Sequence, residues 1–240
     1  TMKKVVKTVA LSYNQSEFKP YGYEIEFKEN GAFLPMEIEL ENGKKMKIIG
    51  KIDRVDFLEF KDNIYIRVVD YKSSGKELKL DKIKEGISLQ LISYMMAFME
   101  NKKDKKIIPA AMVYFNLSDK LVSLTQYEQD IEKIKKELLK KLKMNGIFLK
   151  DLEILNKMDR NFENNSKDSL IDVTKKSITR NSSKVLEEEE FENLCRETKL
   201  VLEQIGDELS SGKVKIAPNK KENYCQFCHY SSTCRKNIKV

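Results

Sequence analysis

The feature that most constrains this sequence is an apolar run over residues 64–69 that ends directly in Asp70-Tyr71-Lys72. A short apolar run of this composition is typical of a strand buried within a sheet. Side chains alternate between the two faces of a strand, so Asp70 and Lys72 are expected to point the same way. The run therefore predicts a carboxylate and an amine at the mouth of a buried strand, where open α/β sheets bind ligands.

A second strand-like segment precedes this run by one hairpin, with residues 59–63 as the expected turn. It carries Asp53 within Gly50-x-Ile52-Asp53-Arg54-x-Asp56. Asp53 and Asp70 are then expected to meet at one end of the sheet, beside Lys72. Two carboxylates and a lysine suit a Mg²⁺ site that cleaves a phosphodiester bond. The alternative is that these charges are simply solvated, as most charges at strand ends are.

The remaining pattern predicts an α/β fold in which a mixed central sheet is flanked by helices. Apolar or alternating segments predict strands over residues 23–28, 36–40, 46–57 and 109–117, and three-to-four-residue spacing predicts helices over residues 83–98, 131–142 and 187–210. We expect the strands up to residue 71 to meander in one sheet. The strand, helix, strand order that follows indicates a right-handed crossover back onto that sheet.

Four further side chains are candidates for the same site. Gln90 and Tyr94 lie four residues apart on the predicted helix and therefore share a face. A glutamine there can hold a substrate phosphate or a metal-bound water. However, this spacing more often marks two neighbouring side chains on a helix that have no functional role. Glu24 and Glu26 share a face of the first strand and could add a carboxylate, but alternate glutamates usually mark a solvated face.

The cysteines form a second signal, because three of the four stand in Cys225-x2-Cys228-x5-Cys234. Crowded cysteines in a chain of this size favour metal or redox use over a disulfide. Three thiolates leave a tetrahedral site one ligand short. Cys195 could be the fourth ligand. However, it lies on the apolar face of its predicted helix, which favours a buried structural cysteine. His229 directly follows a candidate ligand, which makes shared coordination awkward.

Composition narrows the class of protein. A net charge of +7 and a pI near 9.0 favour a polyanionic partner, or else reflect a lysine-rich proteome. No run of 18 apolar residues predicts a membrane span, and no apolar leader opens the chain, so we expect a cytoplasmic location. A single histidine argues against Ser-His or Cys-His nucleophilic centres, and no P-loop motif is present.

Taken together, these motifs resemble the RecB-like branch of the PD-(D/E)xK nucleases, and above all the C-terminal nuclease domain of AddB-type subunits of bacterial helicase–nucleases. The resemblance covers nearly the whole chain and rests on the order and spacing of four motifs: Gly50-x-Ile52-Asp53-Arg54-x-Asp56, Asp70-Tyr71-Lys72-Ser73, Gln90-x3-Tyr94 and the cysteine cluster. It implies a restriction-endonuclease-like fold, with a nuclease domain over residues 1–210 and an iron–sulfur segment over residues 211–240. It also implies that part of the nuclease domain lies upstream of this chain.

The resemblance implies a role for each matching residue. Asp53, Asp70 and the Tyr71 carbonyl would bind Mg²⁺ or Mn²⁺, and Lys72 would act on the attacking water and on the charge of the transition state. Gln90 and Tyr94 would stand beside the metal. Cys225, Cys228 and Cys234 would be three of four ligands of a [4Fe–4S] cluster, whose fourth cysteine lies upstream in the family, as does a helix that carries a histidine.

The function implied by the resemblance is that of a metal-dependent DNA exonuclease. Such a domain degrades the 5′-ended strand as a helicase delivers single-stranded DNA, works with an AddA-like subunit, and prepares broken ends for recombinational repair. Two alternatives stay open. One is a non-catalytic, metal-stabilised DNA-binding module, and the other is a stand-alone Cas4-like nuclease.

Overall fold

The computed structural model describes residues 2–73, 75–102, 106–117, 142–163, 168–180, 182–213, 215–218 and 224–234. Its elements in chain order are α1 (Met2–Gln15), β1 (Lys19–Phe27), β2 (Met36–Glu39), β3 (Lys45–Ile48), β4 (Gly50–Phe60), β5 (Asn63–Lys72), α2 (Leu80–Lys84), α3 (Gln90–Asn101), β6 (Ile107–Asn116), β7 (Asn145–Leu149), α4 (Leu152–Met158), α5 (Lys175–Thr179), β8 (Val185–Leu186), α6 (Glu188–Ser210) and a 3-10 turn (Tyr224–Phe227). The basic helix predicted from residue 131 onward lies outside the described residues up to residue 141.

A six-stranded mixed sheet forms the centre of the fold, in the order β1-β4-β5-β6-β7-β8. The pairs β1–β4, β4–β5 and β6–β7 are antiparallel, whereas β5–β6 and β7–β8 are parallel. The parallel β5–β6 pair needs a crossover, which the chain makes through α2 and α3. A mixed sheet flanked by helices confirms the fold class that the sequence predicts.

Two predicted elements are divided in the structure, which makes the expected four-stranded meander wrong in part. The strand predicted over residues 46–57 breaks at Ile49, and its first part, β3, pairs with β2 as a separate two-stranded sheet. This hairpin approaches α6 so closely that a Cβ on Gly206 would lie 2.5 Å from a methyl carbon of Leu40. The predicted helix over residues 83–98 is interrupted at Gly86, whose φ of +74° ends the first turn and separates α2 from α3.

The register between β4 and β5 assigns their polar residues to opposite faces of the sheet. Arg54 lies opposite Val69, and Asp56 lies opposite Arg67. Asp53 is one residue beyond Arg54, at the level of Asp70, and both carboxylates face the side covered by α3. Arg54, Asp56 and Arg67 therefore face the other side, which α1 covers.

A buried group of charges ties β4 to β5 on the α1 side; we call Arg54, Asp56, Arg67 and Tyr71 the reverse-face charge cluster. Asp56 Oδ2 accepts hydrogen bonds from Arg54 at 3.2 and 2.8 Å and from Arg67 at 2.9 and 2.7 Å. Arg54 Nη1 donates to the Tyr71 hydroxyl at 2.7 Å, and its guanidinium lies 5.1 Å from the ring centroid of Tyr13 on α1. The three charged side chains are at most 1% exposed, so one carboxylate compensates two buried cations.

Candidate active site

Asp53 and Asp70 lie side by side at the end of β4 and β5, as the hairpin predicts. The turn that joins these strands contains Lys61 and Asp62, both with positive φ. Asp53 Oδ2 accepts a hydrogen bond of 2.8 Å from the backbone N–H of Tyr71, the residue that follows Asp70. The Asp53 carboxylate is thereby fixed to the strand that carries the other half of the predicted site.

Gln90, the first residue of α3, joins the remaining predicted residues to these carboxylates. Its Oε1 accepts a hydrogen bond of 2.9 Å from Lys72 Nζ, and its Nε2 donates to Asp70 Oδ1 and to the Tyr94 hydroxyl, each at 3.0 Å. The structure therefore brings Lys72, Gln90 and Tyr94 together around Asp70. Gln90 links the amine to the carboxylate, and the positive end of the α3 dipole lies beside them.

The Asp70 carboxylate is poorly compensated for a group that is only 2% exposed. Burial raises its pKa, Lys72 opposes that shift, and the neighbouring Asp53 adds to it. Lys72 Nζ lies 2.6 Å from Asp70 Oδ2 and forms an ion pair with it, while Gln90 donates to the other carboxylate oxygen. Two neighbouring carboxylates, one of them almost fully buried, fit a divalent cation, for which oxygen ligands are preferred.

Neither strand glutamate joins this group. Glu24 pairs with Lys51 and Glu26 pairs with Lys28, and the two glutamate side chains are 61% and 49% exposed. Both glutamates lie on the solvated edge of β1, which is the usual environment of alternate glutamates on a strand.

Tyr114 contributes to the site although the sequence gives no sign of it. It lies opposite Asp70 in the parallel β5–β6 pair and is fully buried, and its hydroxyl has no hydrogen-bond partner. Burial, with a smaller contribution from Asp70, raises the pKa of Tyr114 to about 12. Lys72 Nζ lies 5.5 Å from the centroid of the Tyr114 ring, so the face of this ring packs against the amine.

The three C-terminal cysteines lie in one short segment of turns. The backbone N–H of Cys228 donates to the Cys225 carbonyl at 3.4 Å, and that of Cys234 donates to the Tyr230 carbonyl at 2.8 Å. Among the described residues, no three His, Cys, Asp or Glu side chains gather closely enough to hold a metal ion. Thiolates are the right donors for an iron–sulfur cluster. The three described thiols do not by themselves form a closed site, so a cluster would require a further ligand.

Cys195 is separate from that segment. It lies on α6, where it packs against the hydrophobic core, as the sequence suggests. Burial raises the pKa of its thiol to about 11, with a further contribution from Glu192. A partly buried thiol that packs on the core in this way behaves as a small apolar side chain.

Comparisons with known proteins agree with this geometry. The family profile of the PD-(D/E)XK nuclease superfamily matches residues 2–235. Proteins named as the B-type subunit of an ATP-dependent helicase/deoxyribonuclease are similar over nearly the whole chain: 35% identity over 98% of it in Thermoanaerobacter sp. (strain X514), 37% over 97% in Alkaliphilus metalliredigens and 35% over 98% in Clostridium acetobutylicum.

The chain spans about a fifth of the length of these relatives, since the matches cover 21% of each of the three. No helix within the described ranges is both long and apolar enough to cross a membrane. The match to the family profile along almost the entire chain, together with a mixed sheet that joins two aspartates and a lysine at one strand end, shows that this chain belongs to the PD-(D/E)XK nuclease superfamily.

Proposed function

We propose that this chain is a divalent-metal-dependent deoxyribonuclease module that hydrolyses phosphodiester bonds in DNA. The observation that carries the proposal is the placement of Lys72 between the buried Asp70 carboxylate and the Gln90 amide, with Asp53 on the neighbouring strand. Carboxylates and a lysine at one point are what a metal-assisted attack of water on a phosphodiester requires.

Asp53, Asp70 and the Tyr71 carbonyl are the proposed ligands of Mg²⁺ or Mn²⁺. A bound divalent cation would supply Lewis-acid stabilisation of the phosphate and lower the pKa of a water molecule. Lys72 is proposed to orient the attacking water and to stabilise the negative charge that develops on the phosphate oxygens. Its hydrogen bond to Gln90 supports this role, because it limits the positions open to a flexible amine.

Gln90 and Tyr94 are proposed to position the acting groups. Nε2 of Gln90 donates both to Asp70 and to Tyr94, and Oε1 accepts from Lys72, so both N–H directions and one acceptor direction of the amide are already used. The Tyr94 ring packs edge-on against Phe27 of β1 at 5.8 Å between centroids. This contact packs α3 against β1, the strand that pairs with β4.

The names of the relatives extend the proposal to the whole protein. We infer that this chain is the nuclease part of a cytoplasmic helicase–nuclease that processes double-strand breaks for recombinational repair, with an AddA-like partner subunit. In that complex it would degrade the 5′-ended strand as single-stranded DNA emerges from the helicase. Residues 211–240 would form an iron–sulfur segment in which Cys225, Cys228 and Cys234 are completed by a cysteine from elsewhere in the protein.

A cleavage assay on end-labelled single-stranded DNA tests the nuclease proposal. Wild-type chain, Asp70→Asn, Lys72→Gln and the surface control Asp81→Asn are compared with Mg²⁺, with Mn²⁺ and with EDTA. We expect metal-dependent cleavage by the wild type and the control, and a loss of at least about 10²-fold in the two site variants. Cleavage that persists in Asp70→Asn and Lys72→Gln would refute the assigned site.

Strand polarity needs its own substrate pair. Labels at the 5′ and at the 3′ end of otherwise identical oligonucleotides distinguish the two directions, because only the end that is attacked first releases its label as a short product. Early release of the 5′ label supports action on the 5′-ended strand. Early release of the 3′ label contradicts it and leaves the nuclease assignment standing.

A further inference from the structure

The segment that follows β5 is held in place although it has no regular secondary structure. The backbone N–H of Lys76 donates to Asn116 Oδ1 at 3.0 Å, and its carbonyl accepts from Asn116 Nδ2 at 3.1 Å and from Asn145 Nδ2 at 3.0 Å. Asn145 also accepts from the N–H of Leu78 at 3.3 Å. Both asparagines are buried, at 7% and 9% exposure, so two core side chains fix the backbone of one surface lysine.

The side chain of Lys76 reaches back over the candidate active site. Its Nζ lies 5.0 Å from the centroid of the Tyr114 ring, and Lys72 Nζ lies 5.5 Å from the same centroid. Asp70 is the strand partner of Tyr114. Two ammonium groups therefore share one buried ring, directly beside the proposed metal ligand.

The two lysines differ in how their charges are compensated. Lys72 forms an ion pair with Asp70, whereas no carboxylate among the described residues lies within ion-pair distance of Lys76 Nζ. Partial burial and the nearby Lys72 ammonium lower the pKa of Lys76. Lys76 is nevertheless an exposed residue, so its amine is open to a partner from solution. Two adjacent cations with a single shared carboxylate leave a local positive charge that a polyanion would neutralise.

We propose that Lys76 binds a backbone phosphate of the DNA strand next to the scissile phosphate. The contact rests on the proposed nuclease function, and it makes Lys76 a positioning residue for the strand. The pinned backbone supports this role, because a cation whose main chain is already fixed loses less conformational entropy when it binds a phosphate than a lysine on a free loop.

Binding of single-stranded DNA tests the contact without relying on cleavage. Fluorescence anisotropy with a labelled oligo-dT is measured in EDTA over a series of salt concentrations, for wild type, Lys76→Gln, Lys76→Arg and Lys61→Gln. Lys61 is the matched control, since it lies in the β4–β5 turn at the far end of these strands and pairs with Glu153. All variants are first compared by urea unfolding to establish that each is folded.

We expect Lys76→Gln to weaken binding about 3–10-fold at low salt and to reduce the log–log salt slope by about 0.7, the value for one phosphate contact on a single strand. Lys76→Arg should restore both quantities, and Lys61→Gln should change neither. In the cleavage assay, Lys76→Gln should raise KM while kcat stays within about twofold, because a contact to a phosphate that does not react contributes uniform binding. Affinity and slope equal to wild type in Lys76→Gln, or an equal loss in Lys61→Gln, would overturn the inference.

The two proposals fail separately. If the wild type does not cleave DNA but Lys76→Gln still weakens binding, the phosphate contact stands and the nuclease proposal fails. If cleavage depends on Asp70 while Lys76→Gln binds like wild type, the nuclease stands and the Lys76 contact is refuted.

Discussion

Replacement of Asp56 by asparagine is expected to destabilise the fold more than any exchange of a surface charge. Asp56 Oδ2 accepts four hydrogen bonds of 2.7–3.2 Å from Arg54 and Arg67, and none of these three side chains is more than 1% exposed. Asp56→Asn keeps the size of the side chain but removes the only negative charge in the reverse-face charge cluster. Removing one partner of a buried ion pair costs about 3–5 kcal/mol, which is roughly a fifth or more of the stability of a typical domain.

Urea unfolding followed by far-UV circular dichroism measures this cost. With a slope of about 3 kcal/mol per molar urea, the upper end of the usual range because the slope grows with chain size, the midpoint of Asp56→Asn should fall by roughly 1–2 M. Glu153→Gln is the control, because the Lys61–Glu153 pair is at least half exposed and screened by water, so its midpoint should stay at the wild-type value. A change below about 1 kcal/mol in Asp56→Asn would refute the view that this carboxylate compensates two buried cations.

A second variant separates the loss of charge compensation from a general loss of packing. Arg67→Met removes one of the two cations, so the double variant Asp56→Asn/Arg67→Met should be less destabilised than the sum of the single changes. Arg67 is a better choice for this test than Arg54, because burial lowers the pKa of Arg67. The lowered pKa shows that burial opposes the charged form of this side chain. Strict additivity would contradict a direct coupling of the two side chains.

Three further predictions concern other parts of the structure. A Cβ on Gly146 of β7 would lie 2.0 Å from the Met112 carbonyl oxygen. Gly146→Ala should therefore cost about 1–3 kcal/mol in urea unfolding, and an unchanged midpoint would contradict that close approach. Cys195, with its pKa raised to about 11, should resist iodoacetamide at pH 8 while the exposed Cys228 is alkylated, as mass spectrometry can establish; equal rates would contradict burial of the thiol. Gln90→Leu should lower the single-turnover cleavage rate by about 10²-fold, because Lys72 loses its orientation, and a retained rate would show that the glutamine is dispensable.

The sequence predicts the centre of this fold well because the centre is specified locally. The apolar run of β5 and the alternation of β4 identify both strands and the turn between them, and the same alternation places Asp53, Asp70 and Lys72 together. The order of strand, helix and strand after residue 63 similarly predicts the crossover to β6. In each case the pattern lies within residues that are close in sequence, and it indicates how the neighbouring strands pair.

The errors arise where the structure depends on distant segments. Apolar residues continue through Ile48 and Ile49 without a polar turn sequence, so residues 46–57 look like one strand, yet Ile49 is 65% exposed and the chain changes sheets there. The packing of the β2–β3 hairpin against α6 places β3 in the smaller sheet. No pattern in the sequence around β3 indicates this long-range packing. Tyr114 is hidden for a similar reason, because it lies inside an apolar strand and only its parallel pairing with Asp70 brings it to the site.

The motifs on β4 and β5 therefore have two roles, one on each face of the sheet. Residues at alternate positions form the proposed active site on the α3 side, and the residues between them form the reverse-face charge cluster on the α1 side. A slip of the β4–β5 register by one residue would turn the faces of one strand over relative to the other and leave Arg67 buried on the side opposite Asp56. The cluster thus fixes the register on which the meeting of Asp53 and Asp70 depends. Loss of cleavage in an Asp56 variant would then report displaced carboxylates, and a catalytic role for Asp56 would not follow from it.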